Sequence, residues 1–219
     1  MQPDSNRGPD DTLPVRLRYI LFLGPLFRRV TKILLRRWPD IAEDFFYREI
    51  ARCARRYGAD HRYVMNAHLH HAVALNKLGR YQEAEAEIAD VIASWQNTEN
   101  VSEIAMMCAR AWHVEVLNAM GRLANAEEDL RALCEWRSRS LGPRHPDTLD
   151  TREAYAVALY NTGRREEAEE EAVDVAWKRL IVLGPGHPDA SNVWRLRSHM
   201  RKGPGHIQWT TPGARIDGP

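Results

Sequence analysis

Three short stretches constrain what this chain can fold into more than anything else in it. "NKLGRYQEAEAEI" from Asn76, "NAMGRLANAEEDL" from Asn118 and "YNTGRREEAEEEA" from Tyr160 place Gly79, Gly121 and Gly163 at successive spacings of 42 residues. In each, a glycine able to take the left-handed conformation separates two runs of helix formers. Acidic residues follow where the next helix offers its positive N-terminus. A corner repeated at a fixed period marks stacked helical hairpins, because one hairpin alone cannot bury its apolar face.

A second set of breaks lies upstream of the corners: "YGADHRYVM" at Tyr57, the degenerate "ENVSEIAMM" at Glu99, "LGPRHPDTL" at Leu141 and "LGPGHPDAS" at Leu183. Each opens a helix, and Pro146 and Pro188 suit a first helical turn, where the missing N–H costs nothing. Between breaks the apolar spacing is helical and in register. Ala72 and Leu75 recur as Val114 and Leu117 and as Ala156 and Leu159, while Ala84 recurs as Ala126 and Ala168. The register also runs backward, since Ala42 falls one period before Ala84. The expected partition is a leader over 1–11 and one solenoid over 12–202. The solenoid divides into a degenerate unit 16–57, units 58–99, 100–141 and 142–183, and a terminal helix 188–202. An irregular Gly/Pro-rich tail covers 203–219.

With 44% hydrophobic and 28% charged residues among 219, the chain can bury a continuous core. Its net charge of +1 argues against nucleic-acid binding, which usually requires a basic excess. Three cysteines, Cys53, Cys108 and Cys134, without CxxC spacing, favour reduced thiols and a cytoplasmic location. The apolar run "YILFLGPLF" lacks a small-residue cleavage site and is too short to span a bilayer.

The stretch "LGPRHPDTLDTREAYAVALYNTGRREEAEEEAVDVAWKRLIVLGPGHPDA" resembles the 42-residue tetratricopeptide repeat of the kinesin-light-chain type, common in bacterial multi-repeat proteins. The resemblance is strong over 142–190, good over 58–141 and weak before 58. It implies an all-α, right-handed superhelical α-solenoid of about four helical hairpins plus a C-terminal helix, with the first helices lining a concave groove. It also implies a non-catalytic module that binds a protein or peptide.

By that register the groove presents Asn66, Leu69, His70, Asn76 and Lys77 from one repeat. Trp112, Glu115 and Asn118 come from the next, and Asp150, Glu153, Val157, Tyr160 and Asn161 from the third. Asn76 and Asn118 are equivalent, so their amides could serve successive backbone groups of an extended peptide. Where peptide-clamping members carry Asn, this chain has His70, Trp112 and Ala154, which replaces an amide clamp by a shallow aromatic pocket. Glu115, Asp150 and Glu153 give the groove an expected preference for a cationic partner. The alternative is a small-molecule or catalytic pocket around His70, His71, Trp112 and His113. Nothing marks a nucleophile or cofactor loop, so no cofactor is expected. The spacing of His68, His71 and His113 permits a metal, but no Cys or carboxylate falls in the same columns, and imidazoles also simply fill half-buried positions.

Residues 16–37 hold seven cations and no acid, and "LFRRVTKILLRRW" separates an apolar arc from a basic one. Three roles fit: a cap on the first repeat, docking into a partner or a second copy, and contact with an anionic membrane surface. The cap agrees best with the register, and the membrane role least well.

Overall fold

The computed structural model describes residues 33–59, 61–96, 98, 101–202 and 207, and these are helical apart from corners and joints. The segment 16–32, which holds most of the basic amphipathic stretch, lies outside the described residues. Residues 33–37 are helical and lead into helix α1, Pro39–Tyr57. Then follow α2 (Arg62–Lys77), α3 (Tyr81–Gln96) and α4 (Glu103–Ala119). A 3-10 turn (Leu123–Ala126) precedes α5 (Glu127–Ser140), and the chain continues through α6 (Pro146–Asn161), α7 (Arg165–Leu183) and α8 (Pro188–Lys202). Each helix packs against the one before it, which is the linear contact pattern of a solenoid. The expected all-α repeat architecture is therefore present.

The corners repeat in detail. Gly79, Gly121 and Gly163 have φ of 76°, 69° and 91°, a region that side chains rarely enter. In each corner the N–H of the following arginine reaches back to a leucine carbonyl: Arg80 to Leu75 at 2.9 Å, Arg122 to Leu117 at 2.7 Å and Arg164 to Leu159 at 2.9 Å. Two of these arginines also grip the first turn of the next helix. Arg80 donates to both Glu83 oxygens at 2.7 and 2.6 Å, and Arg164 does the same with Glu167. The middle unit has Asn125 at that place, and there the second helix opens through the 3-10 turn, a difference from the other units that the sequence register does not anticipate.

Ala42, Ala84, Ala126 and Ala168, one column of the register, have no exposed surface at all. A leucine there has no room, so Ala126→Leu is expected to cost about 1 to 3 kcal/mol by overpacking. Urea titration measures this directly, and wild-type stability in that variant would refute the register.

Three of the four joints between units also repeat one feature, the exception being the start of α4, where Ser102 makes no side-chain cap bond. His61, His145 and His187 each accept a backbone N–H with Nδ1, from Tyr63 at 3.3 Å, Asp147 at 3.2 Å and Asp189 at 3.2 Å. An imidazole thus caps the start of α2, α6 and α8 in place of the usual hydroxyl or carboxylate. The three cysteines are unbridged. No described helix is long and apolar enough to cross a membrane.

Candidate partner-binding surface

The first helices α2, α4 and α6 carry the residues that the register assigns to the groove, and the structure separates them into three groups. Leu69, Val157 and Tyr160 are buried at 2%, 1% and 4% exposure and belong to the packed core. Their position follows from helix periodicity, since they share the apolar face of their helices with Leu75 and Leu159. They cannot offer anchors to a ligand while the helices stay packed.

The second group is polar and already partnered. Lys77 Nζ lies 3.3 Å from Glu115 Oε1, joining α2 to α4 at the surface. Asp150 and Glu153 both meet Arg179, at 2.7 Å each, and the Arg179 side chain is only 4% exposed. Arg179 also donates to the Asp189 carbonyl at 3.4 Å, so one guanidinium ties α7 to the starts of α6 and α8. Burial holds the carboxyls of Asp150 and Glu153 above their ordinary values, despite the pull of Arg179 in the other direction. The three acids expected to charge the groove are thus each neutralised within the chain.

The third group is available. Asn66, Asn76 and Asn118 are half-buried, and their amides make no side-chain hydrogen bond to another described residue. Trp112 is half-buried beside His70, with ring centroids 5.4 Å apart, and His70 stacks on Phe46 at 5.2 Å. Burial drives the His70 imidazole down to about 4, so it is neutral at neutral pH, and its Nδ1 has no hydrogen-bond partner. Asn161 is engaged by Ile207, a residue far downstream.

The other histidines of the alternative pocket are held by carboxylates from second helices. His68 Nδ1 and His71 Nδ1 meet the two oxygens of Glu87, at 2.5 and 2.7 Å. One period later Asp129 takes Arg110 at 2.6 Å and His113 at 2.5 Å. A further period on, Glu171 takes both ends of the Arg152 guanidinium. Glu87, Asp129 and Glu171 are one column, as are His68, Arg110 and Arg152, so in three successive units a carboxylate at the same position clamps the two helices. A comparison confined to first-helix positions misses this column, because the partners lie 16 and 19 residues apart across the corner. Burial works to lower His71, but Glu87 and Glu43 outweigh it and hold the imidazole above its ordinary value. Burial works to raise Glu87, and the two histidines outweigh it in turn. Among the described residues, no group of three or more His, Cys, Asp or Glu side chains is arranged to hold a metal.

Residues 106–173 match the tetratricopeptide repeat family, and solved repeat structures superpose over most of the chain. The fold is a tetratricopeptide-repeat solenoid. It is similar to the nearly identical TPR-like repeats of a Podosopora anserina protein provisionally called a kinesin light chain. There the TM-score is 0.67 at 19% identity, over 86% of this chain and 92% of that one. A variant of that protein gives 0.65 at 17% identity, over 84% and 94%. BtubC (BKLC) from P. vanneervenii gives 0.51 at 11% identity, over 74% of this chain and 65% of that one. No curated protein sequence matches the chain. At these identities the likeness concerns the fold, and tetratricopeptide-repeat solenoids in general present extended surfaces for protein partners.

Proposed function

We propose that the chain is a non-catalytic interaction module whose first helices bind a polypeptide along their inner face. The observation that supports this most is the row of half-buried amides, Asn66, Asn76 and Asn118, with no side-chain hydrogen bond to another described residue. An amide offers both a donor and an acceptor, which suits the backbone of an extended chain, and Trp112 beside them supplies an apolar surface. Charge acts by exchange in this reading. A cationic segment reaches Glu115, Asp150 or Glu153 only by competing with Lys77 or Arg179, so it gains selectivity more than affinity. The basic stretch of a second copy, around Arg28, Arg29 and Lys32, is one occupant with the right charge. Three unbridged thiols suit a reducing cytoplasm.

The test is affinity capture from the native cell followed by mass spectrometry, with titration of the recovered polypeptide. Each lost amide bond removes about 1 kcal/mol, so Asn76→Ala with Asn118→Ala should weaken binding roughly 30-fold. Trp112→Ala should weaken it at least as much, while Asp90→Lys, at an exposed position of α3, should leave it unchanged. Wild-type affinity in both groove variants would place the ligand on another face.

A further inference from the structure

Ile207, which follows α8 in the chain, meets α6. The N–H of Ile207 donates to Asn161 Oδ1 at 3.0 Å, and Asn161 Nδ2 donates to the Ile207 carbonyl at 2.8 Å. One side-chain amide therefore satisfies both backbone polar groups of a single residue, as a neighbouring strand would. The Ile207 side chain is half-buried and packs against the core cluster that includes Tyr160, Val193 and Met200.

This contact does not follow the packing rule of the repeat. One, two and three periods before Ile207 stand Arg165, Leu123 and Tyr81, each the first residue of a helix or 3-10 turn, whereas Ile207 is not helical. At the positions equivalent to Asn161 the earlier units carry Ala119 and Lys77, neither of which can both donate to and accept from a backbone. The bond pair is therefore particular to Asn161 and to a non-helical residue laid against it. A backbone read by an amide, together with an aliphatic side chain seated on apolar surface, is the chemistry of linear peptide recognition.

We propose that Asn161 and the apolar surface beneath Ile207 form a recognition site for a non-helical polypeptide segment bearing a branched aliphatic residue, and that the chain's own Ile207 occupies it in cis. The inference rests on the interaction-module reading and assigns a ligand class to the C-terminal end of that surface. Tethering presents the segment at roughly millimolar effective concentration, so a competitor in trans binds well only once the cis contact is weakened.

The probe is a fluorescein-labelled peptide with the sequence of residues 202–213, KGPGHIQWTTPG, titrated by anisotropy against the full chain. Ile207→Asp in the protein removes the apolar anchor and should tighten peptide binding at least tenfold over wild type. Adding Asn161→Ala to that variant should return binding to the wild-type level, and a peptide with aspartate at the Ile207 position should not bind either protein. Ile207→Ala, checked for helical content and melting, serves as the milder variant if Ile207→Asp does not fold. An Ile207 variant that melts lower yet takes up no peptide would make the contact an end cap only and overturn the proposal, as would equal binding with and without Asn161. Because the probe is the chain's own segment, failure here leaves the Asn76 and Asn118 surface untouched. Loss of that surface with success here leaves Asn161 as a site for self-recognition.

Discussion

Replacing Arg179 by methionine is expected to destabilise the solenoid by about 2 to 4 kcal/mol, because it strands two carboxylates that share one buried cation. Asp150 and Glu153 both lie 2.7 Å from the guanidinium, and burial already holds both carboxyls above their ordinary values. Removing the positive charge leaves desolvation without compensation. The loss should be largely recovered by adding Asp150→Asn and Glu153→Gln, since neutral amides tolerate the same site without a counterion. Urea midpoints of the three proteins decide the matter. An Arg179→Met chain as stable as wild type would mean that the two acids are solvated well enough to need no partner.

The second large effect is a dependence on pH centred on His70. Its imidazole titrates at about 4 in the fold and near 6.5 when unfolded, so the unfolded chain binds a proton over an interval in which the native chain does not. That contribution is complete above pH 6.5 and is lost as pH falls toward 4. His71 works in the opposite sense. Its imidazole is raised, so its contribution is present below about 6.5 and disappears as pH rises past its folded value, while the lowered carboxyl of Glu87 requires a pH above about 4.5. His70→Phe should keep the stack between Phe46 and Trp112 and remove only the first term. At pH 4.5 the variant should exceed wild type by about 2 to 3 kcal/mol more than it does at pH 7.5. Parallel stability profiles for the two proteins would show that His70 is protonated in the fold without penalty.

The architecture is readable from the sequence because its determinants are local. A glycine that must take positive φ at Gly79, Gly121 and Gly163, and a fully buried alanine five residues after each, leave their mark at a fixed period in one dimension. The surface is harder to read, since a column on a first helix does not say which way each side chain turns. Tyr160 stands in the column of Asn76 and Asn118, yet it packs inward, because a large aromatic ring gains more from burial than a polar amide does. The charge of the groove eludes the sequence for a related reason. The cation that neutralises Asp150 lies 29 residues away on a second helix, and no comparison of first helices brings Arg179 beside it. Likewise the spacing of His68 and His71 suits a metal, whereas in the fold Glu87 partners both from across the corner.

The imidazoles that cap the starts of α2, α6 and α8 make the seams between units chemically unequal. Unlike a hydroxyl or an amide, an imidazole brings a planar ring to the joint together with its acceptor nitrogen. Before α6 and α8 an acid stands beside the ring, with Asp147 3.9 Å from His145 and Asp189 3.7 Å from His187. The first seam has Tyr63 in the corresponding place, and the rings of His61, Tyr57 and Tyr63 pack against one another. Joints that share one kind of capping bond are therefore finished differently, the one behind α1 by packed aromatic rings and the ones before α6 and α8 by a ring beside a carboxylate.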